Sequence, residues 1–226
     1  ALLGAWLGTA FSQSALPPAA RVGSAAVAMI DAESGSRLPL RTREDMGDAA
    51  SLQIYDALMR PGGAPPRGTI AVALYSPETA AALDRIHDYL TTESALGPRL
   101  SELLGLITAR EMNLAFEWSE HERAAAHAGL EPAVVDVVRR SEPVTRLAAA
   151  DALLITFGRQ LFRDRHVDSA TFAALVRRLG RQETYNAIML LAYYTMAGVM
   201  QRAVDQQPPA GWDPKNLPAV AGVGTP

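Results

Sequence analysis

Apolar residues along most of this chain recur at intervals of three and four, which is the spacing of one face of an α-helix. The run from Ile70 to Tyr75 could also form a strand, but the sequence offers no second strand to pair with it, so we expect a short helix or a buried loop there. Alanine dominates the apolar residues, and aromatic residues make up only 6% of the chain, which favours packed helices over a sheet. We therefore expect an all-α fold, with a single helical-bundle domain of about seven or eight helices at residues 46–208.

Residues with strong preferences for helix ends define several of the expected boundaries. The segment Ser76-Pro77-Glu78 is typical of a helix start, because serine caps the helix, proline is tolerated at the first position and an acidic side chain is favoured in the first turn. Gly129 is expected just after a helix end, since glycine readily adopts the left-handed conformation needed there. The pattern predicts helices at about residues 46–59, 76–94, 98–113, 116–128, 143–163, 168–179 and 183–205, with a further short helix beginning at 131.

The two ends of the chain have compositions that differ from the helical region. Residues 1–25 are mostly apolar and small, and no charged residue precedes Arg21, which is typical of the remnant of a secretory signal or of a disordered arm. We expect export to the periplasm or beyond, with a cytoplasmic location as the alternative, and no stable membrane span. Residues 26–45 are expected to form an extended arm, and residues 209–226, rich in Gly and Pro, a disordered tail.

The absence of cysteine from the chain excludes several kinds of chemistry. Disulfides, thiolate nucleophiles, CxxC redox centres and cysteine-based zinc sites all require this residue. The net charge is −3 with acidic and basic residues interspersed, so nucleic acid is not an expected partner. Because the chain has no thiol, acid–base chemistry near neutral pH must use the four histidines or carboxylates with shifted pKa values.

One predicted helix carries a carboxylate and an imidazole on the same face. Glu117 and His121 are four residues apart, so their side chains can touch, and Trp118 could form a wall of the same pocket. Glu120 and Glu122 point away around the helix and are expected to be solvated. From these residues alone, a surface ion pair is the commonest explanation. A metal site is disfavoured, because the sequence contains no HExxH motif.

The sequence around this helix resembles the carboxymuconolactone decarboxylase and alkyl hydroperoxidase D family. Glu102 and Leu106 match the Glu and Leu of the family's first motif helix, and His121 matches the family histidine nineteen residues after that Glu. The two cysteine positions of the family fall on Leu114 and Glu117, so the likeness is to its cysteine-less members. The resemblance implies an all-helical fold that assembles into dimers or rings of dimers.

The resemblance also implies a reaction. Thiol peroxidase activity is excluded, since it needs one thiol to attack and one to resolve. The decarboxylase branch implies a cofactor-independent, metal-free lyase acting on a small cyclic or keto carboxylic acid, with His121 donating a proton, Glu102 orienting it and Glu117 positioning a water or taking a second proton. The alternative is a non-catalytic helical oligomeric binding protein that retains the fold. The residues expected to bind the substrate are Trp118, Arg99, Arg110 and Tyr194.

The last predicted helix carries more apolar surface than the burial of one stripe requires. It contains apolar side chains at neighbouring positions on several faces, and such a surface is usually covered by another subunit. We therefore expect a homo-oligomer: a dimer, trimer or hexamer.

Overall fold

The computed structural model describes residues 30–59, 62–208, 211 and 217–218. These residues form eight α-helices and no strand, which confirms the all-α prediction, and none of the helices is both long and apolar enough to cross a lipid bilayer. The predicted export segment (residues 1–25) and most of the predicted tail (209–226) lie outside the described residues. The helices are α1 (Ala49–Leu58), α2 (Gly68–Ala73), α3 (Pro77–Asp88), α4 (Gly97–Glu111), α5 (Ala115–His127), α6 (Pro132–Arg139), α7 (Ala149–Arg159) and α8 (Ser169–Ala203).

The start of α3 and the end of α5 lie where the sequence predicts them. α3 begins at Pro77, as the sequence predicts, but the Ser76 hydroxyl caps no backbone amide and shares a hydrogen bond with Oγ1 of Thr79 at 2.8 Å instead. After α5, Gly129 adopts the left-handed conformation with φ 75°. The amide of Leu130 then donates a hydrogen bond to the carbonyl of Ala125 at 2.9 Å, which satisfies one of the carbonyls left free at a helix end.

Three boundaries differ from the predicted ones. α7 begins at Ala149 instead of residue 143, because Val144–Arg146 forms only a 3-10 turn and the backbone then leaves the helical conformation at Leu147 and Ala148. α1 begins three residues later than predicted, because Asp48 caps it by accepting a hydrogen bond from the amide of Ser51 at 2.9 Å. The last two predicted helices form one long element, α8, that is interrupted at Gly180 with φ 80° and ψ 168°, a conformation that glycine adopts most readily. The run that begins at Ile70 lies largely in α2, so the helical alternative is confirmed there.

α4 occupies the centre of the bundle. Every residue from Leu103 to Glu111 is buried, since α5, α6, α7 and α8 all pack against this helix. Burial of each of these leucine side chains stabilises the folded state by about 1.5–3 kcal/mol. α8 buries only one side, for Tyr185 and Val199 are 61% and 59% exposed. Because α4 is enclosed, its polar side chains lie against neighbouring helices and need partners there.

The segment before α1 is attached to the end of α8. The amide of Arg37 donates a hydrogen bond to the carbonyl of Val204 at 2.7 Å, and the amide of Gln207 donates to the carbonyl of Gly35 at 2.7 Å. Ser36, between them, is completely buried. These contacts anchor the C-terminal end of α8, which carries Gln201.

Candidate active site

Two neighbouring helices bring the three predicted acid–base residues together. Nδ1 of His121 on α5 lies 2.8 Å from Oε2 of Glu102 on α4, and Nε2 of the same ring lies 3.2 Å from Oε2 of Glu117. His121 and Glu117 are each only 7% exposed, and the Glu102 side chain is 20% exposed. The carboxylate–imidazole pair is therefore not an ordinary surface ion pair.

The close approach of α4 and α5 depends on a glycine. Gly105 follows Glu102 by one turn on the side of α4 that faces α5. A Cβ at Gly105 would lie 2.5 Å from Cε1 and Nδ1 of His121, which is closer than non-bonded atoms can approach. The imidazole thus rests on the backbone of α4, within reach of Glu102. A glycine inside a predicted helix was the available sequence signal for such a contact.

The two carboxylates keep the imidazole of His121 protonated. Burial by itself lowers the pKa of His121, because a charged ring is poorly solvated in the protein interior. The hydrogen bonds and negative charges of Glu102 and Glu117 outweigh burial and raise this pKa to about 9. At neutral pH the ring is an imidazolium, so Nδ1–H donates to Glu102 and Nε2–H donates to Glu117.

A further pair of hydrogen bonds holds Glu117 from behind. Nε2 of Gln201 on α8 donates to Oε1 of Glu117 and, at 3.1 Å, to Oγ1 of Thr69 on α2. All three side chains are buried. The two oxygens of Glu117 therefore have different partners, His121 for one and Gln201 for the other. The sequence analysis missed Gln201, although its spacing of seven residues from Tyr194 puts the two on one face of α8.

The cluster opens on a cavity of about 170 Å³ formed by residues of α2, α3, α5 and α8 and of the segment before α2. Tyr194, predicted to contact the substrate, lines this cavity, and its ring lies edge-on to His121 with 4.5 Å between centroids. Burial raises the pKa of Tyr194 and of Tyr193 beside it, so both phenols keep their protons at neutral pH. Lining residues that the sequence analysis did not identify include Arg67, Thr69, His87, Glu120 and Tyr193.

Arg67 is the only arginine or lysine among the described residues that line the cavity. It immediately precedes α2 and is exposed, and no described residue forms an ion pair or hydrogen bond with its guanidinium. The next residue, Gly68, has φ 58°, and a Cβ there would lie 2.6 Å from the Phe116 ring, so glycine allows this turn against α5. A free guanidinium beside a cavity is suited to bind a carboxylate.

The residues on either side of His121 are placed differently from the prediction. Trp118 is 1% exposed but does not line the cavity, and its Nε1–H donates to Oε2 of Glu122 at 2.8 Å. Successive helical residues are rotated by about 100°, so Trp118 and Glu122 lie on the side of α5 turned away from Glu117. Glu120 lies on the Glu117 side and lines the cavity, contrary to the expectation that it is only solvated.

The two arginines predicted to bind the substrate lie outside the cavity. Arg99 donates to both carboxylate oxygens of Asp151, at 2.7 and 3.0 Å, and Nε of Arg110 donates to the carbonyl of Arg139 at 2.6 Å. Each is rotated about 60–80° around α4 from Glu102, towards α6 and α7 instead of α5. The prediction is corrected: these arginines connect α4 to other helices of the bundle.

The cluster has the character of an acid–base site. Within the described ranges, no group of three or more His, Cys, Asp or Glu side chains is arranged to hold a metal ion. Both ring nitrogens of His121 are engaged by carboxylates, so neither offers a lone pair while the ring is protonated.

Two solved structures share this arrangement of helices. One is described as an alkylhydroperoxidase AhpD core, an uncharacterized peroxidase-related protein from Ralstonia eutropha JMP134; it is 17% identical with a TM-score of 0.60, and the match covers 79% of this chain and 94% of that one. The other, an uncharacterized peroxidase-related protein from Silicibacter sp. TM1040, is 15% identical with a TM-score of 0.62, covering 80% and 95%. This chain has the AhpD core fold. No protein-family model matches the sequence, and neither does any curated protein.

Within the AhpD core fold, the residues at the two expected cysteine positions have separate surroundings. Leu114 is 4% exposed and packs so closely against Gly198 that a Cβ there would lie 2.4 Å from Cδ1 of Leu114. Glu117 belongs instead to the hydrogen-bonded cluster with His121. One position is thus part of the apolar core, and the other supplies a carboxylate to the cavity of this AhpD-like chain.

Proposed function

We propose that this chain is a cofactor-independent, decarboxylase-like lyase that acts on a small cyclic or keto carboxylic acid. The observation that carries the proposal is the protonated imidazole of His121, held between Glu102 and Glu117 at the wall of a cavity. Loss of CO₂ leaves an enolate, which needs a proton donor of this kind. The cavity volume of about 170 Å³ is below the 300–1,000 Å³ usual for larger ligands, so it suits a substrate of few atoms.

Substrate binding in this proposal depends on Arg67. The carboxylates of Glu102 and Glu117 repel an anion, but the imidazolium of His121 offsets part of their charge. The guanidinium of Arg67 then supplies a bidentate partner for a substrate carboxylate. Because a paired carboxylate leaves less readily, Arg67 anchors a carboxylate that the substrate retains, and a second carboxylate is the one lost as CO₂.

The reaction balances without a cofactor. The carbon–carbon bond to the leaving carboxylate breaks, CO₂ departs, and the electron pair moves through the substrate onto its carbonyl oxygen as an enolate. The hydroxyls of Tyr193 and Tyr194 are available to stabilise that oxygen. The enolate then collapses, and its carbon takes the proton from Nε2 of His121. The neutral imidazole regains a proton from solvent.

A peroxidase function is not proposed. The two solved structures are described as peroxidase-related, but that description applies to those proteins. A thiol peroxidase reaction requires one cysteine to attack the substrate and a second to resolve the intermediate. This chain contains none. The carboxylate of Glu117 cannot replace a thiol in redox chemistry, whereas it can accept and return protons.

The experiment is CO₂ release from a panel of lactone acids and β-keto diacids, measured for the wild type and for His121→Ala. Loss of the proton donor is expected to lower kcat at least 100-fold, in line with the usual contribution of general acids. His127→Ala is the matched control, because His127 is exposed and, among the described residues, its ring forms a hydrogen bond only with the Arg123 carbonyl of its own helix. Full activity in His121→Ala would contradict the proposal.

A non-catalytic oligomeric binding protein is the second candidate, and the outer face of α8 supplies the surface that its assembly would need. Tyr185, Met196 and Val199 are 61%, 37% and 59% exposed on this face, and exposed apolar surface of this kind often marks a subunit interface. Light scattering is expected to show a dimer or larger assembly in either case. Oligomers that release no CO₂ from any panel compound would favour this second candidate, and a clean monomer would count against it.

A further inference from the structure

A second histidine lines the cavity, and decarboxylation gives it no role. The ring of His87 on α3 lies 5.3 Å from the ring of Tyr193 and 6.2 Å from that of Tyr194, measured between centroids. Tyr194 in turn lies 4.5 Å from His121, so both histidines contact one tyrosine. No hydrogen bond joins the ring nitrogens of His87 to any residue in the described part of the chain.

The two histidines have opposite protonation states at neutral pH. Burial, followed by the positive charge of His121, lowers the pKa of His87, so its ring is neutral and one nitrogen can accept a proton. Two titratable groups whose surroundings move their pKa values apart are the usual sign of an acid–base pair. The other groups that face His87 or share its cavity are Asp84, Glu102, Glu117, Glu120, Arg67 and the two tyrosines.

We propose that His87 is a catalytic general base, and that the cavity also removes and returns protons on carbon next to a carbonyl group. Departure of CO₂ requires no base, because the carboxylate leaves without a proton to abstract. A neutral imidazole beside a protonated one is instead the equipment for moving a proton between carbons. The substrate class, a small keto acid or unsaturated lactone that retains one carboxylate at Arg67, rests on the proposed function.

Proton transfer by His87 proceeds through an enolate of the substrate. A ring nitrogen of His87 takes a proton from the carbon beside the carbonyl, the electrons of that carbon–hydrogen bond form a carbon–carbon double bond, and the carbonyl electron pair moves onto oxygen. When the enolate collapses, carbon takes a proton from His87 or from Nε2 of His121. When His87 has exchanged the abstracted proton with solvent before returning it, or when His121 supplies the proton, a saturated keto acid undergoes hydrogen exchange. In an unsaturated acid the proton returns to a different carbon and the double bond moves. After donation by His121, His87 releases its proton to solvent and His121 takes one up, which restores both rings.

Two different substrates distinguish proton exchange from decarboxylation. Levulinate is a γ-keto acid that keeps its single carboxylate, so it can undergo exchange but not decarboxylation of the β-keto type. In D₂O, NMR is expected to show enzyme-dependent deuterium incorporation at the carbons beside its ketone. CO₂ release is measured in parallel with 3-oxoglutarate, a β-keto diacid.

His87→Asn is expected to lower the ratio of levulinate exchange to 3-oxoglutarate decarboxylation at least 30-fold, whereas His166→Asn, at an exposed position, should leave both rates unchanged. An unaltered ratio in His87→Asn, or decarboxylation by the wild type without any exchange, would overturn the role of His87. Exchange without CO₂ release would support the role of His87 and refute the proposed lyase.

A pH profile of the wild-type protein also tests whether His87 is the base, and this measurement needs no variant. Exchange should slow as the pH falls below 6.5 and through the lowered pKa of His87, because the base becomes protonated. A rate that stays constant over that acidic range would rule out His87 as the base.

Discussion

Nδ1 of His121 and Oε2 of Glu102 lie 2.8 Å apart, although nineteen residues separate them in the chain. The contact exists because Gly105 allows the imidazole to rest on α4, and it directs Nε2 of the ring towards Glu117. Glu117 is on the same helix as His121, so that second contact follows from helix geometry alone. The cluster thus combines one tertiary contact with one local contact.

Gly105→Ala is expected to disrupt the tertiary contact. Alanine in an exposed helix interior stabilises by about 0.5–1 kcal/mol relative to glycine, but here the new Cβ would overlap the His121 ring. We expect a loss of about 1–3 kcal/mol in the free energy of unfolding, together with a loss of activity. Urea denaturation measures the change in the free energy of unfolding, and CO₂ release measures the change in activity. Gly47→Ala, at a position with nothing within 4 Å of the added Cβ, should change stability by less than about 0.5 kcal/mol.

Gln201→Leu tests the hydrogen bonds behind Glu117. Without the amide donor, Oε1 of Glu117 becomes a buried acceptor with no partner from α8, which costs about 1–3 kcal/mol. The comparison is Gln53→Leu, since Gln53 is exposed on α1 and its replacement should be nearly neutral. If the two variants unfolded at the same urea concentration, the contribution of Gln201 would be disproved.

Stability is expected to fall as the pH rises from 6.5 to about 9. His121 has a pKa of about 9 in the folded protein, against 6.5 for an ordinary histidine, so the native state binds more protons than the unfolded state within this window. The contribution is complete below pH 6.5 and amounts to about 3 kcal/mol. Unfolding free energies at pH values spanning this range should decline in the wild type, and His121→Ala should show a much flatter dependence.

Arg67→Gln is expected to weaken substrate binding without weakening the fold. The guanidinium is exposed and has no ion-pair partner among the residues described, so the stability should change by less than about 0.5 kcal/mol. Loss of a charged hydrogen bond of about 1.5–3 kcal/mol to the substrate carboxylate should raise KM roughly 10- to 100-fold. Arg146→Gln is the control, because Arg146 is exposed and does not line the cavity. An unchanged KM in Arg67→Gln would exclude Arg67 as the group that binds the substrate carboxylate.

Much of the fold and part of the site could be predicted from the sequence, because the relevant signals are local. Helical periodicity, the helix start at Pro77 and the left-handed Gly129 depend on residues within a turn or two of each other. The pairing of Glu117 with His121 is equally local, and the resemblance to a known family supplied Glu102. The predicted placement of Arg99, Arg110 and Trp118 at the cavity was wrong, because each side chain is rotated around its helix away from the cavity.

The remaining site residues were decided by tertiary structure. Arg67, His87 and Gln201 lie on segments far apart in the chain, and no periodic pattern links them to His121. Their meeting depends on how α2, α3 and α8 pack around α5, and that packing is determined by shape complementarity of whole helix faces, summed over many weak contacts. The sequence by itself therefore determined where helices form and which acid meets His121 locally, whereas the assembled bundle alone determined which groups share its cavity and which of them are charged.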